Sequence, residues 1–175
     1  MLFSGLTFLY YFLPAVLIAY FLVPDGWKNG VLLFFSLFFY AWGEPKLALL
    51  MVVTILVFYL CGLAIGRANS QAARKRWMIV SVAIGLGLLG LFKYADFFIG
   101  SVNAVTGLSL PLLRLALPIG ISFYTFQCIS YTVDVYRGDA AAQKNLISFG
   151  CYVSLFPQLI AGPIVRYTDV ARALE

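Results

Sequence analysis

An apolar stretch of the sequence carries four polar side chains at the spacing of one helical face. The stretch is LPIGISFYTFQCISYTVDVYRG, residues 117–138, and the four residues, which we call the polar stripe, are Tyr124, Gln127, Tyr131 and Asp134. Their steps of three, four and three residues place them on one side of an α-helix. Phenol, amide and carboxyl groups in such surroundings can hydrogen-bond to neighbouring helices or line a polar path for a substrate. The sequence leaves both alternatives open, and in either case the groups should face protein or a wet cavity rather than lipid.

Hydroxyl and charged groups flank the polar stripe. Ser122 adds a hydroxyl beside it, and Asp134 lies near the end of the apolar stretch with Arg137 three residues on. That spacing favours an ion pair between Asp134 and Arg137. The alternative is a functional one, in which Asp134 relays protons or contacts a substrate. Lys93 and Asp96 have the same spacing and are predicted to pair at a membrane surface.

A second apolar stretch, SLFPQLIAGPIVRY at 154–167, is interrupted by residues that do not suit a membrane helix. Proline and glycine break helices, and glutamine and arginine are costly in lipid. Non-helical backbone at membrane depth is tolerated where it is buried in protein or lines a cavity. We therefore predict a kinked or re-entrant element in which Gln158 donates to backbone groups that Pro157 leaves free. The candidate residues of this second motif are Pro157, Gln158, Gly162, Pro163 and Arg166.

Histidine is absent from the sequence, which removes several kinds of chemistry. A Ser-His-Asp or Cys-His arrangement within this chain is excluded, and so is a histidine metal site. The three cysteines, Cys61, Cys128 and Cys151, lie in apolar runs without paired spacing, so we predict buried hydrophobic side chains and no metal site. The net charge of +5 comes from basic residues in short loops, so nucleic acid is not an expected partner.

The composition indicates which class of protein must position these residues. Hydrophobic residues make up 63% and charged residues 11%, whereas a soluble domain is nearer half apolar and a quarter charged. Membrane lipid must therefore solvate much of the surface. We predict an all-α fold, a polytopic integral membrane helical bundle that forms one membrane domain over residues 1–175. The six predicted apolar segments are Leu6–Val23, Trp27–Trp42, Lys46–Ile65, Trp77–Phe92, Pro118–Tyr136 and Leu146–Ile164.

Basic residues predict the orientation of the bundle. The loop GRANSQAARKRW at 66–77 holds four Lys or Arg residues and no acid, so the positive-inside rule places it in the cytoplasm. The N-terminus is then extracytoplasmic in a multi-pass protein of the cell (inner) membrane. In the fourth segment, Gly85, Gly87 and Gly90 predict close helix packing. Residues 101–117 form an outer loop whose apolar half, LSLPLLRLAL, is expected in the membrane interface.

The two motifs together resemble the signature of a known family. LPIGISFYTFQCISYTVDVYRG followed by FPQLIAGPIVRY is similar to the signature of the membrane-bound O-acyltransferases. The likeness is greatest to the branch with alginate O-acetyltransferases and the protein that passes D-alanine toward teichoic acid. The upstream stretches FFSLFFYAWGEP and LFKYADFF also resemble that branch, so the likeness covers nearly the whole chain.

This resemblance implies a multi-helix membrane enzyme that moves an acyl group across or within the bilayer. The implied donor is a cytoplasmic thioester, acetyl-CoA or an acyl-carrier thioester, which is a substrate rather than a bound cofactor. The implied acceptor is an exported or cell-surface polysaccharide such as alginate, and a periplasmic or extracellular O-acetylation protein is an expected partner. In this reading the residues of both motifs shape the wall of a tunnel and its cytoplasmic mouth without reacting themselves.

The sequence departs from this family at the reactive residue. The resemblance implies a longer chain with a central histidine downstream of the second motif, whereas these 175 residues contain none. The chain is therefore expected to be the N-terminal part of such an enzyme and inactive without the remainder. From the residues alone, a transporter or channel component and a non-catalytic membrane scaffold stay open as alternatives.

Overall fold

A computed structural model describes residues 6–43, 45–115, 117–118, 120–161 and 166–174. Within these ranges the chain is helical without any strand, which confirms the predicted all-α class there. Two π-helical turns, Phe8–Phe12 and Gly90–Tyr94, lead into the first and fifth helices. The α-helices are α1 (Leu13–Leu22), α2 (Asp25–Gly43), α3 (Pro45–Arg67), α4 (Gln71–Leu89), α5 (Ala95–Thr106), α6 (Ile121–Arg137), α7 (Leu146–Ser154), α8 (Phe156–Ala161) and α9 (Tyr167–Leu174).

An aromatic cluster joins the N-terminal helix to α2 and α8. The ring centroid of Phe12 lies 5.4 Å from that of Phe39 and 5.4 Å from that of Phe156. Aromatic contacts at these separations stabilise beyond the apolar area that they bury. Pro14 lies just after the π-helical turn Phe8–Phe12, inside one continuous helix, and local π-helical adjustment is one way in which a helix accommodates the hydrogen bond that proline cannot make. The first predicted apolar segment is therefore helical across its proline.

A short turn, rather than the predicted twelve-residue loop, joins α3 to α4. Only residues 68–70 separate the two helices. The hydroxyl of Ser70 accepts the backbone N–H of Ala73 at 3.2 Å, and such a cap fixes the start of a helix. The loop prediction is wrong because Arg74 and its basic neighbours lie in the first turns of α4. The Nη2 atom of Arg74 donates to the carbonyl of Val135 at 3.0 Å and ties this end of α4 to α6.

The predicted end of the fourth segment at Phe92 is also wrong. The helix continues through the second π-helical turn into α5, and the continuous helix Gln71–Thr106 has 36 residues. At Gly85 the predicted close packing is confirmed, because an added Cβ would lie 2.7 Å from a side-chain carbon of α6. An added Cβ at Gly87 or Gly90 would meet nothing within 4 Å, so the packing prediction fails at those two glycines.

The main core surrounds α6, which packs against α3, α4, α7 and α9. Its fully buried side chains include Met51 and Phe58 from α3 and Phe149 from α7. The cysteines Cys61, Cys128 and Cys151 are buried as free thiols, as the sequence predicts. The polar face of α6 is thus enclosed by apolar side chains from several helices.

Two of the helices that the structure describes are long and apolar enough to cross a membrane. They are Pro45–Arg67 and Gln71–Thr106. Phe8–Leu22 and Leu146–Gln158 are apolar but shorter. A bilayer needs about 20 apolar residues in helical form. These helices support a membrane location for the chain.

Candidate functional site

Two glycines define the ends of α6. Gly120 and Gly138 have φ angles of 74° and 86°, in the left-handed region that glycine tolerates best. The N–H of Gly138 donates to the carbonyls of Asp134 at 3.0 Å and Val135 at 3.3 Å and so closes the helix. The helix between these glycines is Ile121–Arg137, and its register sets the direction of every polar side chain in the first motif.

The polar stripe points into the protein. Its four side chains are at most 5% exposed, whereas Phe123 and Phe126 of the same helix are 43% and 45% exposed. The prediction that the stripe avoids lipid is confirmed. Ser122 beside the stripe is half-buried, and Arg137 at the helix end is exposed.

Part of the polar face of α6 forms hydrogen bonds between helices. The Nε2 of Gln127 donates to the carbonyl of Tyr152 in α7 at 3.2 Å. The hydroxyl oxygens of Ser81 in α4 and Thr132 lie 2.9 Å apart and form a buried hydrogen bond. These contacts favour, for Gln127 and Thr132, the alternative in which polar groups join neighbouring helices.

Tyr131 links α6 to the loop and helix that follow. Its hydroxyl accepts the backbone N–H of Gln143 at 2.9 Å, and the Nε2 of Gln143 donates to the hydroxyl of Tyr167 at 2.8 Å. The ring of Tyr131 lies 4.7 Å from that of Phe149 and 5.0 Å from that of Tyr167, between centroids. Against α3 the ring fits only because Gly62 has no side chain, since a Cβ there would lie 2.5 Å from the ring. Tyr131 therefore has a positioning role within the bundle.

Three other polar atoms of α6 are buried without a hydrogen-bond partner in the part of the chain that the structure describes. They are the hydroxyl of Tyr124, the hydroxyl of Thr125 and the Oδ2 of Asp134. Leaving such a group unsatisfied costs about 1–3 kcal/mol, so buried polar atoms in proteins are nearly always paired. A substrate, a water molecule or further protein can supply the missing partners. Packing alone does not explain these atoms, two of which, on Tyr124 and Asp134, belong to the polar stripe.

The two ion pairs predicted from sequence spacing do not form. Asp134 makes no ion pair within 4 Å with Arg137. The carboxylate of Asp96 accepts backbone N–H groups of the 113–114 segment instead of pairing with Lys93. The pair of Lys93 with Asp96 is missing because backbone N–H groups occupy the carboxylate in place of a long flexible cation. Asp134 and Arg137 do not pair because the carboxyl group is buried in the protein whereas Arg137 is exposed at the end of α6.

An ion pair that the sequence analysis did not predict lies at the start of α2. Asp25 and Lys28 form it one helical turn apart. The Lys28 ammonium, which donates a hydrogen bond to the carboxylate, lowers the pKa of Asp25 below its ordinary value. The pair is on the surface, away from the polar stripe, and takes no part in the candidate site.

The second motif contains the predicted helix break, with a different local geometry. α7 ends at Ser154 and α8 begins at Phe156, whose N–H donates to the hydroxyl of Ser36 at 3.4 Å. Pro157 therefore lies in the first turn of a new helix, where proline is well tolerated, and does not disrupt a continuous one. The expected donation by Gln158 is wrong, because its Nε2 is buried without a partner among the described residues.

The structure does not bring every residue of the second motif to the stripe. Arg166 is exposed just before α9, and Gly162 and Pro163 lie outside the described residues. Among the described residues, no hydrogen bond joins Pro157 or Gln158 to the stripe. The second motif meets the stripe instead through Tyr167, whose ring contacts that of Tyr131.

Sequence reasoning missed the residues that hold the stripe in place. Gln143 lies in a polar loop without periodicity, so no pattern pointed to its three hydrogen bonds. Gly62 carried a usable signal, since a glycine within an apolar helix often marks close packing of a neighbour.

The chain is similar in sequence to curated O-acetyltransferases. It is 45% identical to the probable alginate O-acetylase AlgI of Pseudomonas aeruginosa, an alignment that covers 97% of this chain and 34% of that protein. The identity to the protein of the same name in Azotobacter vinelandii is 43%, over 97% of this chain and 35% of the relative. The chain is a homologue of the alginate O-acetylases. The resemblance to the membrane-bound O-acyltransferase family inferred from the two motifs is confirmed.

This homology extends to a relative with another name. The chain is 32% identical to the peptidoglycan O-acetyltransferase of Helicobacter pylori, over 97% of this chain and 38% of that protein. The chain spans about a third of the length of the curated relatives that it matches. No protein-family model matches the chain. No solved structure matches it.

Proposed function

We propose that the chain is the N-terminal part of a membrane-bound O-acyltransferase that acetylates an exported or cell-surface polysaccharide such as alginate. The observation that carries this proposal is the 45% identity, over 97% of the chain, to a protein named alginate O-acetylase. The donor is a cytoplasmic thioester, either acetyl-CoA or an acyl-carrier thioester. No bound cofactor is required by this chemistry, because the thioester itself carries the activated acyl group.

The polar stripe forms part of the wall along which the acyl group passes. Tyr124 and Asp134 support this role because each presents a buried polar atom that the described part of the chain leaves unpaired. Phenol and carboxyl groups in a site with little water can orient a thioester or hold an acceptor hydroxyl. Gln127 and Tyr131 hold α6 in position through their hydrogen bonds with α7 and with the 139–145 loop.

The reactive group belongs to a part of the protein beyond these residues. The 175 residues contain no histidine, and the family resemblance implies one downstream of the second motif. In that arrangement the histidine accepts the proton of an acceptor hydroxyl while the hydroxyl oxygen attacks the thioester carbonyl carbon. The carbon–sulfur bond then breaks, the thiol leaves with a proton, and an ester remains on the polysaccharide.

The membrane arrangement in this proposal follows the positive-inside rule. The basic start of α4, with Arg74 and its neighbours, faces the cytoplasm, and the N-terminus is extracytoplasmic in the cell (inner) membrane. Six apolar segments form the bundle. The sixth, which is broken between α7 and α8, enters the membrane but does not cross it as one straight helix. A periplasmic or extracellular O-acetylation protein acts as partner on the acceptor side.

Peptidoglycan is a second candidate acceptor. The specific observation that favours it is the 32% identity to a peptidoglycan O-acetyltransferase over 97% of the chain. The identity is lower than to the alginate O-acetylases, so alginate is the acceptor that we test first. Both acceptors require the same ester chemistry at a sugar hydroxyl.

Acetyl transfer to a defined acceptor tests this proposal. Membranes containing the full-length protein are supplied with radiolabelled acetyl-CoA on the cytoplasmic side, and with alginate or peptidoglycan on the other side. Base-labile label on alginate, absent from membranes lacking the protein, is the expected result. Label on peptidoglycan alone would show that peptidoglycan, and not alginate, is the acceptor, and the proposed acetyl-transfer reaction would still hold. Solute flux without any acyl transfer would instead favour the transporter alternative and overturn the proposal.

A further inference from the structure

An apolar surface at the end of the long helix has no role in the proposed reaction. We define the α5 unit as α5 together with residues 107–115. Residues 97–113 contain no charged side chain, and Phe97, Phe98 and Val105 are 68%, 63% and 87% exposed. The leucines of the segment that follows α5 are also exposed, namely Leu108, Leu110, Leu112, Leu113 and Leu115. A contiguous apolar surface of this kind marks a place of interaction rather than contact with bulk water.

Side-chain hydrogen bonds, rather than burial, hold residues 107–115 in place. The amide of Asn103 both donates to the carbonyl of Leu110 at 2.9 Å and accepts its N–H at 3.0 Å. The carboxylate of Asp96 accepts the N–H groups of Leu113 at 2.7 Å and Arg114 at 3.0 Å. The two successive N–H groups thus converge on one carboxylate, and the next backbone angle, the φ of Arg114, is positive at 46°. The segment is thus fixed on α5 although its leucines are not packed.

The remaining polar side chains of α5 are satisfied by its own backbone. The hydroxyl of Ser101 donates to the carbonyl of Phe97 at 2.8 Å, and that of Thr106 donates to the carbonyl of Val102 at 2.6 Å. Serine and threonine commonly satisfy their hydroxyls in this way in apolar surroundings. The outer surface of the α5 unit is therefore dominated by its phenylalanine, valine and leucine side chains.

Helix length shows where this surface meets the bilayer. The continuous helix Gln71–Thr106 has 36 residues and is about 54 Å long at 1.5 Å per residue, against a hydrocarbon core of about 30 Å. A straight helix would need a tilt of about 56° to fit, beyond the usual range of roughly 0–40°. Tryptophan is common at membrane–water interfaces, so we place Trp77 at one of them. A helix that starts at Trp77 reaches Phe97 after about 30 Å, the thickness of the hydrocarbon core. The α5 unit therefore begins at the opposite edge of the hydrocarbon core.

The backbone of residues 107–115 excludes a position deeper in the lipid. In this segment the backbone carbonyl of Leu110 accepts a hydrogen bond from Asn103. The other backbone carbonyls of the segment accept none from the described part of the chain, so they need water. Irregular backbone facing lipid does not occur in the hydrocarbon core, because each unpaired group costs several kcal/mol there. The headgroup layer supplies both water for the backbone and acyl chains for the leucines. The π-helical turn Gly90–Tyr94 provides a place where the helix can change direction toward that layer.

We propose that the α5 unit lies flat in the interfacial layer of the bilayer on the side opposite Arg74, with its phenylalanines and leucines among the lipid acyl chains. Asp96 and Asn103 are its positioning residues, since they fix the segment on α5 before it meets lipid. Arg114 at the edge of the unit reaches the level of the lipid phosphates, as long cationic side chains do at membrane surfaces. This inference is independent of the reaction catalysed, so its test can fail while the proposed function holds.

Depth measurement by spin labelling tests the proposal. Val105→Cys and Leu112→Cys are labelled in the full-length protein in phosphatidylethanolamine–phosphatidylglycerol vesicles, and lipids labelled at known acyl carbons calibrate the depth. Cys61, Cys128 and Cys151 are buried, and labelling of the parent protein sets the background. Asp139→Cys, in the exposed loop after α6, gives the aqueous reference. We expect both test labels about 5–10 Å inside the headgroup boundary, with higher accessibility to oxygen than to a water-soluble nickel complex.

Three results would overturn the proposal. One is a depth near the centre of the bilayer, and another is nickel accessibility equal to that at residue 139. The third is shielding from both reagents, which would show that protein covers the surface instead of lipid. In the Asp96→Ala background we expect the Leu112→Cys label to become more mobile and its depth less defined. Ser101→Ala is the matched control, because it removes a hydrogen bond of α5 that does not hold the segment.

Discussion

The ring of Tyr131 lies so close to Gly62 that a Cβ added to that glycine would be 2.5 Å from Cε1 of the ring. Tyr131 is fully buried and also contacts α7 and α9, so it cannot move aside without disturbing the core. We predict that Gly62→Ala destabilises the protein by about 1–3 kcal/mol, the usual range for overpacking. The unfolding midpoint in detergent micelles measures this effect.

Gly87→Ala is the matched control for that substitution. Gly87 is also in a helix, but an added Cβ there would meet nothing within 4 Å. Alanine is the better helix former by about 0.5–1 kcal/mol, so this change should leave stability equal or raise it. Equal losses in the two variants would show that glycine has no special packing role at position 62.

The hydrogen bond between Ser81 and Thr132 should stabilise the contact of α4 with α6. A double-mutant cycle with Ser81→Ala and Thr132→Val isolates the term that belongs to the pair. Because the hydroxyl oxygens lie 2.9 Å apart in a buried position, we expect a coupling free energy of about 0.6 kcal/mol, typical of such bonds in membrane proteins. Strict additivity of the two single substitutions would show that the bond adds nothing to stability.

The surface pair of Asp25 and Lys28 should give a small stabilisation that depends on pH. Lys28 lowers the pKa of Asp25 from its ordinary value of 3.8, so the folded state prefers the charged carboxylate. The stabilisation is present above 3.8 and is lost as the pH falls through the lowered pKa. Unfolding midpoints of the parent and Asp25→Asn should therefore differ slightly at neutral pH and low salt and converge in acid. A difference that grows in acid would contradict this assignment.

Gln143 should control the attachment of α9 to the bundle. Gln143→Ala removes the donor to the Tyr167 hydroxyl and the acceptor of the Asn145 N–H, but keeps the backbone N–H that bonds to Tyr131. We expect faster backbone hydrogen exchange in α9, with exchange in α3 unchanged. Gln143→Glu should restore slow exchange, because the tyrosine hydroxyl can donate to a carboxylate. If α9 exchanges at the parental rate in Gln143→Ala, the hydrogen bond is not what holds it.

The direction of the polar stripe could be predicted from sequence because it depends on local geometry. A helix repeats every 3.6 residues, so the steps from Tyr124 to Asp134 required one face whatever the neighbours were. A break near Pro157 was predictable because proline fits the first turn of a helix but not its interior. Its exact site was not, because the hydroxyl that receives the N–H of Phe156 comes from Ser36, which is 120 residues away in sequence.

Contacts that depend on the rest of the fold were not predictable from spacing. Asp134 and Arg137 have the spacing of a helical ion pair but do not form one, and Asp96 binds a backbone segment seventeen and eighteen residues ahead. The start of α4 was misplaced because charged residues such as Arg74 suggested a loop. That side chain instead donates to the carbonyl of Val135 on α6. Positive charge predicts a side of the membrane and does not predict the local backbone structure.

The most direct test of the central claim is acetyl transfer by Tyr124→Phe and Asp134→Asn variants of the full-length protein. Each change removes or neutralises an oxygen that is buried without a partner in the described part of the chain, and keeps the shape of the side chain. Ser101→Ala, on α5, is the control. At equal protein amounts and unchanged unfolding midpoints, we predict that both stripe variants lose roughly tenfold or more in rate, about 1.4 kcal/mol of transition-state stabilisation. Parental rates in both variants would contradict the claim that this stripe lines the path of the acyl group.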